Sequence, residues 1–159
     1  MGKLQYLVIH CTATPKGRWV SPDDIIQWHT AKPPKGRGWD RVGYSKLFMP
    51  NGKIHSFVEE NEDEFVQSWE LTYGVAGINS VSRHICYVGG LDEKTFLPKD
   101  TRTVEQRISM ENYIESILPI HPNIKVAGHY QFARKACPCF DVVDWCKQIK
   151  LHPKNIYGV

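Results

Sequence analysis

Two histidines and a cysteine occupy positions from which a folded chain could bring them to one point. His10 ends a β-rich apolar run that begins at Leu4, and His129 follows a second such run, Ile124-Lys125-Val126-Ala127, across Gly128. Cys137 lies eight residues beyond His129, inside Lys135-Ala136-Cys137-Pro138-Cys139. Two imidazoles and a thiolate arriving from separate strand ends could converge on one tetrahedral Zn²⁺. Three protein ligands leave the fourth position open, which is the catalytic arrangement. Metal there lowers the pKa of a bound water toward ~7 and polarises a carbonyl. Spacing alone supports this only weakly. No ligand pair has a short helical spacing, Cys137-Pro138-Cys139 is not a zinc-knuckle spacing, and no second cysteine pair completes one. A single strand-end histidine is more often a packed, hydrogen-bonded residue, and a lone cysteine more often a small hydrophobe.

The elements that must carry these residues are legible from local pattern. Residues 4–10 read as a buried strand, and so do residues 124–127. Ser21-Pro22-Asp23-Asp24 predicts a capped helix start, with the helix running to about residue 31 ahead of Pro33-Pro34. Lys35-Gly36-Arg37-Gly38 reads as a flexible basic loop. Gly43 to Met49 and Ile54 to Val58 flank Pro50-Asn51-Gly52-Lys53, a hairpin signal. Glu59 to Glu64 reads as a solvated acidic turn. His84 to Val88 is a further β-rich run, in which alternation sets His84, Cys86 and Val88 on one face. Thr103 and Gln106 form a capping box for a helix with Val104, Ile108, Met110, Ile114 and Leu118 on its apolar side, stopped by Pro119. A last short helix starts near Asp141, with Val142, Val143 and Trp145 as apolar members. The expected fold is α/β: a single domain with a central mixed sheet of about five strands flanked by about three helices.

Composition excludes several classes. A chain of 159 residues, 42% apolar and 23% charged, is one domain with enough core to fold without disulfides. Twenty basic against seventeen acidic side chains leave +3, too mild and dispersed for nucleic acid but suited to an anionic polymer. The five cysteines read as thiols in a reducing compartment. Apolar runs are too short for membrane insertion. The first of them meets His10 without a small-residue cleavage site, so no signal peptide is expected.

Five blocks appear in order: Ile9-His10-Cys11-Thr12-Ala13-Thr14, Gln27-Trp28-His29, Val42-Gly43-Tyr44, Cys86-Tyr87-Val88-Gly89-Gly90 and Lys135-Ala136-Cys137-Pro138-Cys139-Phe140-Asp141. Together they resemble the zinc N-acetylmuramoyl-L-alanine amidases of the phage-lysozyme and peptidoglycan recognition protein superfamily, over roughly residues 4 to 148. The resemblance implies His10, His129 and Cys137 as zinc ligands, Tyr44 as the tyrosine beside the metal and Lys135 as the catalytic lysine. It implies hydrolysis of the amide between N-acetylmuramic acid and L-alanine in peptidoglycan, of the phage endolysin type. The amidase domain is placed at residues 1–150, with 151–159 as a C-terminal tail. The expected protein is a monomer, cytoplasmic in the producing cell and acting on the wall after release. A non-catalytic peptidoglycan-binding or regulatory protein, or a cytoplasmic wall-recycling amidase, are the alternatives. Cys137, Tyr44 and Lys135 together favour catalysis.

Three departures stand out. Ser45 follows the Gly-Tyr pair where many relatives have histidine. Gly74-Val75 stands where many have His-Ala, and Lys32 to Gly38 is longer than the usual connection, with basic residues that would reshape the cleft rim. His84 replaces a small residue of a central strand. It is either a hydrogen-bonded core histidine or a substitute at the cleft for the histidine absent at Gly74. Asn79 is a candidate for substrate contact or turn stabilisation. His29 reads as packed or capping, His55, His121 and His152 as exposed, and Cys11, Cys86 and Cys146 as core. Cys139 would need a different loop path to reach the metal. Trp19, Trp39 and Trp69 lie in loops, where they either stack on sugars or close the core.

Overall fold

Continuous apolar runs need cover on both faces, and the sheet is built accordingly. The computed structural model describes residues 2–159. Strand β1 is Tyr6–Cys11, the short β2 is Thr14–Pro15, and helix α1 is Pro22–Thr30. Strands β3 (Lys46–Phe48) and β4 (Ile54–Ser56) form the hairpin, and β5 is Ser82–Tyr87. The short β6 (Gly90–Leu91) precedes α2 (Val104–Ile117), β7 (Lys125–Gly128) and α3 (Val142–Gln148). The main sheet has the order β4-β3-β5-β1-β7. Its strands run parallel except for the antiparallel β3–β4 hairpin. The expected mixed five-stranded sheet and three helices are thus present. The parallel β2–β6 pair was not anticipated, because two residues per strand carry no periodicity.

Strand alternation divides the core. Leu7, Ile9, Cys11, Ile85 and Tyr87 face α2 and α3, where they meet Met110, Ile114, Val142 and Trp145. On the other face Leu47, Cys86 and Val88 meet Ile25 of α1. His10 shares that second face, since Val8 pairs with His84 and His10 with Cys86 across β1 and β5. Cys11 therefore points away from His10, as its place in the strand required.

Both helix starts are capped as expected, each by a capping box. Ser21 Oγ accepts from the Asp24 amide at 3.1 Å while Asp24 accepts from the Ser21 amide at 2.9 Å. Thr103 and Gln106 do the same for α2. The expected apolar side of α2 needs correction: Val104 and Ile108 are 67% and 53% exposed, whereas Gln106, Met110, Tyr113, Ile114 and Ile117 are buried. Two polar residues set that rotation because their partners lie inside. Gln106 Nε2 donates to the Phe48 and Val88 carbonyls, both at 3.0 Å, and the Tyr113 hydroxyl donates to Glu60.

Glu60 corrects the reading of the acidic turn. It accepts from Ser45 Oγ at 2.9 Å and lies 3.6 Å from Arg83, which also pairs with buried Glu70 at 3.3 Å. The other acids of the turn are exposed. His121, expected at the surface, is buried against this network, whereas His55 and His152 are exposed. Beyond β7, Ile156 is buried and bridges to Val126, and Asn155 Nδ2 donates to the Pro122 and Ile124 carbonyls. Residues 151–159 thereby cover the β7 edge.

Candidate active site

Three elements end at one place. His10 is the penultimate residue of β1, His129 opens a single 3-10 turn after β7, and Cys137 follows in the loop before α3. The two Nδ1 atoms of His10 and His129 are 3.2 Å apart, and Cys137 Sγ is 3.9 Å from His10 Nδ1. One donor atom from each residue lies within 4.8 Å of the others, so the cluster could hold a metal ion. Backbone contacts set the loop: the Tyr130 amide donates to the Cys137 carbonyl at 2.9 Å, and the Cys11 amide donates to Cys137 Sγ at 3.2 Å. Cys139 turns the other way, with its sulfur 3.8 Å from that of Cys11.

The imidazoles are neutral near pH 7. Burial, then the neighbouring His84 and His129, hold His10 well below the ordinary histidine range. Burial lowers His84 to about 3, and burial with Lys135 lowers His129. Metal binding requires neutral imidazole, so the cluster is prepared for it.

A cavity of about 460 Å³ opens over the cluster, lined among others by His10, His129, Tyr44, Lys135, Arg37 and Trp39. The Tyr44 ring lies 5.1 Å from that of His10, and burial pushes its phenol well up, so it is an O–H donor. Lys135 is exposed on the rim. Arg37, from the loop expected to reshape the cleft, lies 5.0 Å over the Trp39 ring. His29 is packed, as anticipated. Its Nδ1 accepts from the Gly43 amide at 2.9 Å, and burial lowers it to about 4. Tyr73 also lines the cavity and was not singled out from sequence, since nothing in its local pattern marks it.

Two candidates lie elsewhere than the cleft surface. His84 is fully buried behind His10 and lines no part of this cavity, so it is not a cleft residue. The adjacent β1 and β5 register carries it under the His10, His129 and Cys137 cluster instead. Asn79 has its Oδ1 occupied by the Val75 amide and by His84, both at 2.8 Å, which is the turn-stabilising geometry. Trp19 and Trp69 are 72% and 59% exposed and away from this cavity.

The profile of the N-acetylmuramoyl-L-alanine amidases matches residues 1–140. The chain belongs to this amidase family. It is 32% identical over 139 residues to the endolysin of Enterobacteria phage K11, covering 87% of this chain and 83% of that one. To the endolysin of Escherichia phage T7 it is 30% identical over 145 residues, covering 91% and 87%. In fold it is similar to the N-acetylmuramoyl-L-alanine amidase LysC from Clostridium intestinale, with a TM-score of 0.70 at 18% identity over 94% of this chain and 87% of that one. Bumblebee PGRP-SA has a TM-score of 0.66 at 20% identity, over 92% and 82%. The amidase is thus an enzyme of peptidoglycan breakdown, and the amidase family to which its five blocks pointed is established. Among the described residues no helix of the amidase is long and apolar enough to cross a membrane.

Proposed function

We propose that His10, His129 and Cys137 hold a catalytic zinc ion with which the amidase opens the bond between N-acetylmuramic acid and L-alanine, in the manner of a phage endolysin. The convergence of two neutral imidazoles and a thiol beneath a cavity that also presents Tyr44 and Lys135 supports this reading. Mixed nitrogen and sulfur donors suit Zn²⁺, and three protein ligands beside an open cavity are the catalytic pattern. When bound, the metal supplies Lewis acidity toward the scissile carbonyl and a water acidic enough to act near neutral pH.

The chain's own residues do the rest. Lys135 brings an ammonium to the rim, where it stabilises negative charge developing on the amide oxygen; removing one such donor commonly costs ~10²–10³ in turnover. Tyr44 offers a phenolic O–H beside His10, to orient water or to donate to the same oxygen. Arg37 and Trp39 shape the rim, a cation and an aromatic plane suited to an anionic, sugar-bearing polymer. The enzyme works as a monomer, stays in the cytoplasm of the producing cell and reaches the wall on release. Digestion of sacculi followed by mass spectrometry tests the reaction. Peptide-free glycan and stem peptides with a free L-alanine amine are expected. Sacculi bound but uncut would support a binding module instead, and a preference for anhydro-muropeptides a recycling enzyme.

A further inference from the structure

His84 and its partners form a short relay behind the metal cluster. His84 Nδ1 lies 2.9 Å from His10 Nε2, and His84 Nε2 lies 2.8 Å from Asn79 Oδ1. The Val75 backbone amide donates to the same Asn79 oxygen at 2.8 Å. An amide N–H can only donate, so the Asn79 atom facing it is the carbonyl oxygen, and the side-chain orientation is settled. Facing an acceptor, His84 must place its proton on Nε2. A cationic His84 would be a fully buried charge with no carboxylate among its hydrogen-bond partners, which is costly, so the ring is neutral and its Nδ1 accepts. His10 must then donate from Nε2. Its remaining lone pair is on Nδ1, the atom that faces His129 and Cys137.

Gly74 makes the space for this arrangement. A Cβ at Gly74 would stand 2.2 Å from the His84 ring, an impossible approach. Gly74 also lines the cavity, so its backbone is the partition between the cleft and the buried His84 ring. The glycine and the strand histidine therefore fit only as a pair.

We infer that His84 is a positioning residue for His10: anchored by Asn79 and accommodated by Gly74, it selects the His10 tautomer whose Nδ1 lone pair faces His129 and Cys137, free to bind a metal held there. This deepens the zinc reading and rests on it for its purpose, though the tautomer itself belongs to the metal-free protein. Partners that hold a ligating histidine commonly contribute about 10–100-fold to metal affinity.

The test is made on the full chain and has two readouts. Imidazole ¹⁵N–¹H NMR of the metal-free protein reads the His10 tautomer, and chelator competition reads zinc affinity. The parent is expected to show Nε2–H at His10. His84→Leu is expected to lose that preference and bind zinc about 10–100-fold more weakly. His84→Asn, whose oxygen can replace the ring Nδ1, is expected to recover most of the affinity. Asn79→Ala, a change at the sheet margin that spares the strand, is expected to weaken zinc as well. An Nδ1–H tautomer in the parent, unchanged affinity in His84→Leu or Asn79→Ala, or equal losses in His84→Leu and His84→Asn would overturn the relay. A parent with the Nε2–H tautomer that takes up no zinc contradicts the zinc reading, and with it the relay's purpose.

Discussion

Tyr87 fastens the loop that carries Cys137: its hydroxyl donates to the Pro138 carbonyl at 2.6 Å, across 51 positions of chain. The Tyr87 side chain is fully buried, so no water replaces the donor when it is removed. Leaving a buried acceptor unpaired costs about 1–3 kcal/mol. Tyr87→Phe is therefore expected to lower the unfolding free energy by about that amount and to weaken zinc binding, because Cys137 precedes the carbonyl's residue. Urea denaturation and chelator competition check the two effects; full stability and affinity in Tyr87→Phe would show that the loop is held by other contacts.

Lys135 lines the cavity but has no place in the donor cluster. Lys135→Ala is expected to bind zinc as the parent does while losing about 10²–10³ in turnover. Metal analysis alongside a sacculus-clearing assay separates the two properties. Near-parental turnover would remove Lys135 from the reaction.

What could be read in advance follows from the range of the interactions. The Ser21 cap and the Thr103–Gln106 capping box are local chemistry, three residues wide, and both form. His10, His129 and Cys137 are visible as strand-end and loop residues, and the family resemblance implies all three as ligands. The face of α2 was not legible, because Gln106 and Tyr113 are turned inward by Phe48, Val88 and Glu60, partners far away in sequence. His84 was ambiguous for the same reason. Its neighbours His10 and Asn79 are supplied by sheet register and by a turn, neither of which its own strand encodes.

Arg83 is buried between Glu60 and Glu70. Breaking a buried pair from one side is costly, about 3–5 kcal/mol, since the opposite charge stays behind. Arg83→Ala is expected to unfold at markedly lower urea than the parent. Turnover per folded molecule at low temperature is expected to persist, because the network lies outside the cavity lining. A loss below about 1 kcal/mol would mean that water already reaches these carboxylates.

His29 titrates at about 4 in the folded protein against an ordinary value of 6.5, chiefly through burial. The unfolded chain therefore binds more protons in that interval, and stability rises with pH across it. The contribution is complete above pH 6.5 and is lost as pH falls toward about 4. His29→Gln is expected to flatten the slope of unfolding free energy against pH in metal-free protein over this window. Urea titrations at several pH values check it. An unchanged slope would mean that other groups carry the acid sensitivity.

Zinc content read together with sacculus digestion, for the parent and for Cys137→Ser, tests the central claim most directly. The account predicts about one zinc per parent chain with active digestion, and a variant that binds the metal more weakly and digests far more slowly. A parent that digests sacculi equally well without zinc, or a Cys137→Ser variant with parental zinc and activity, would contradict it.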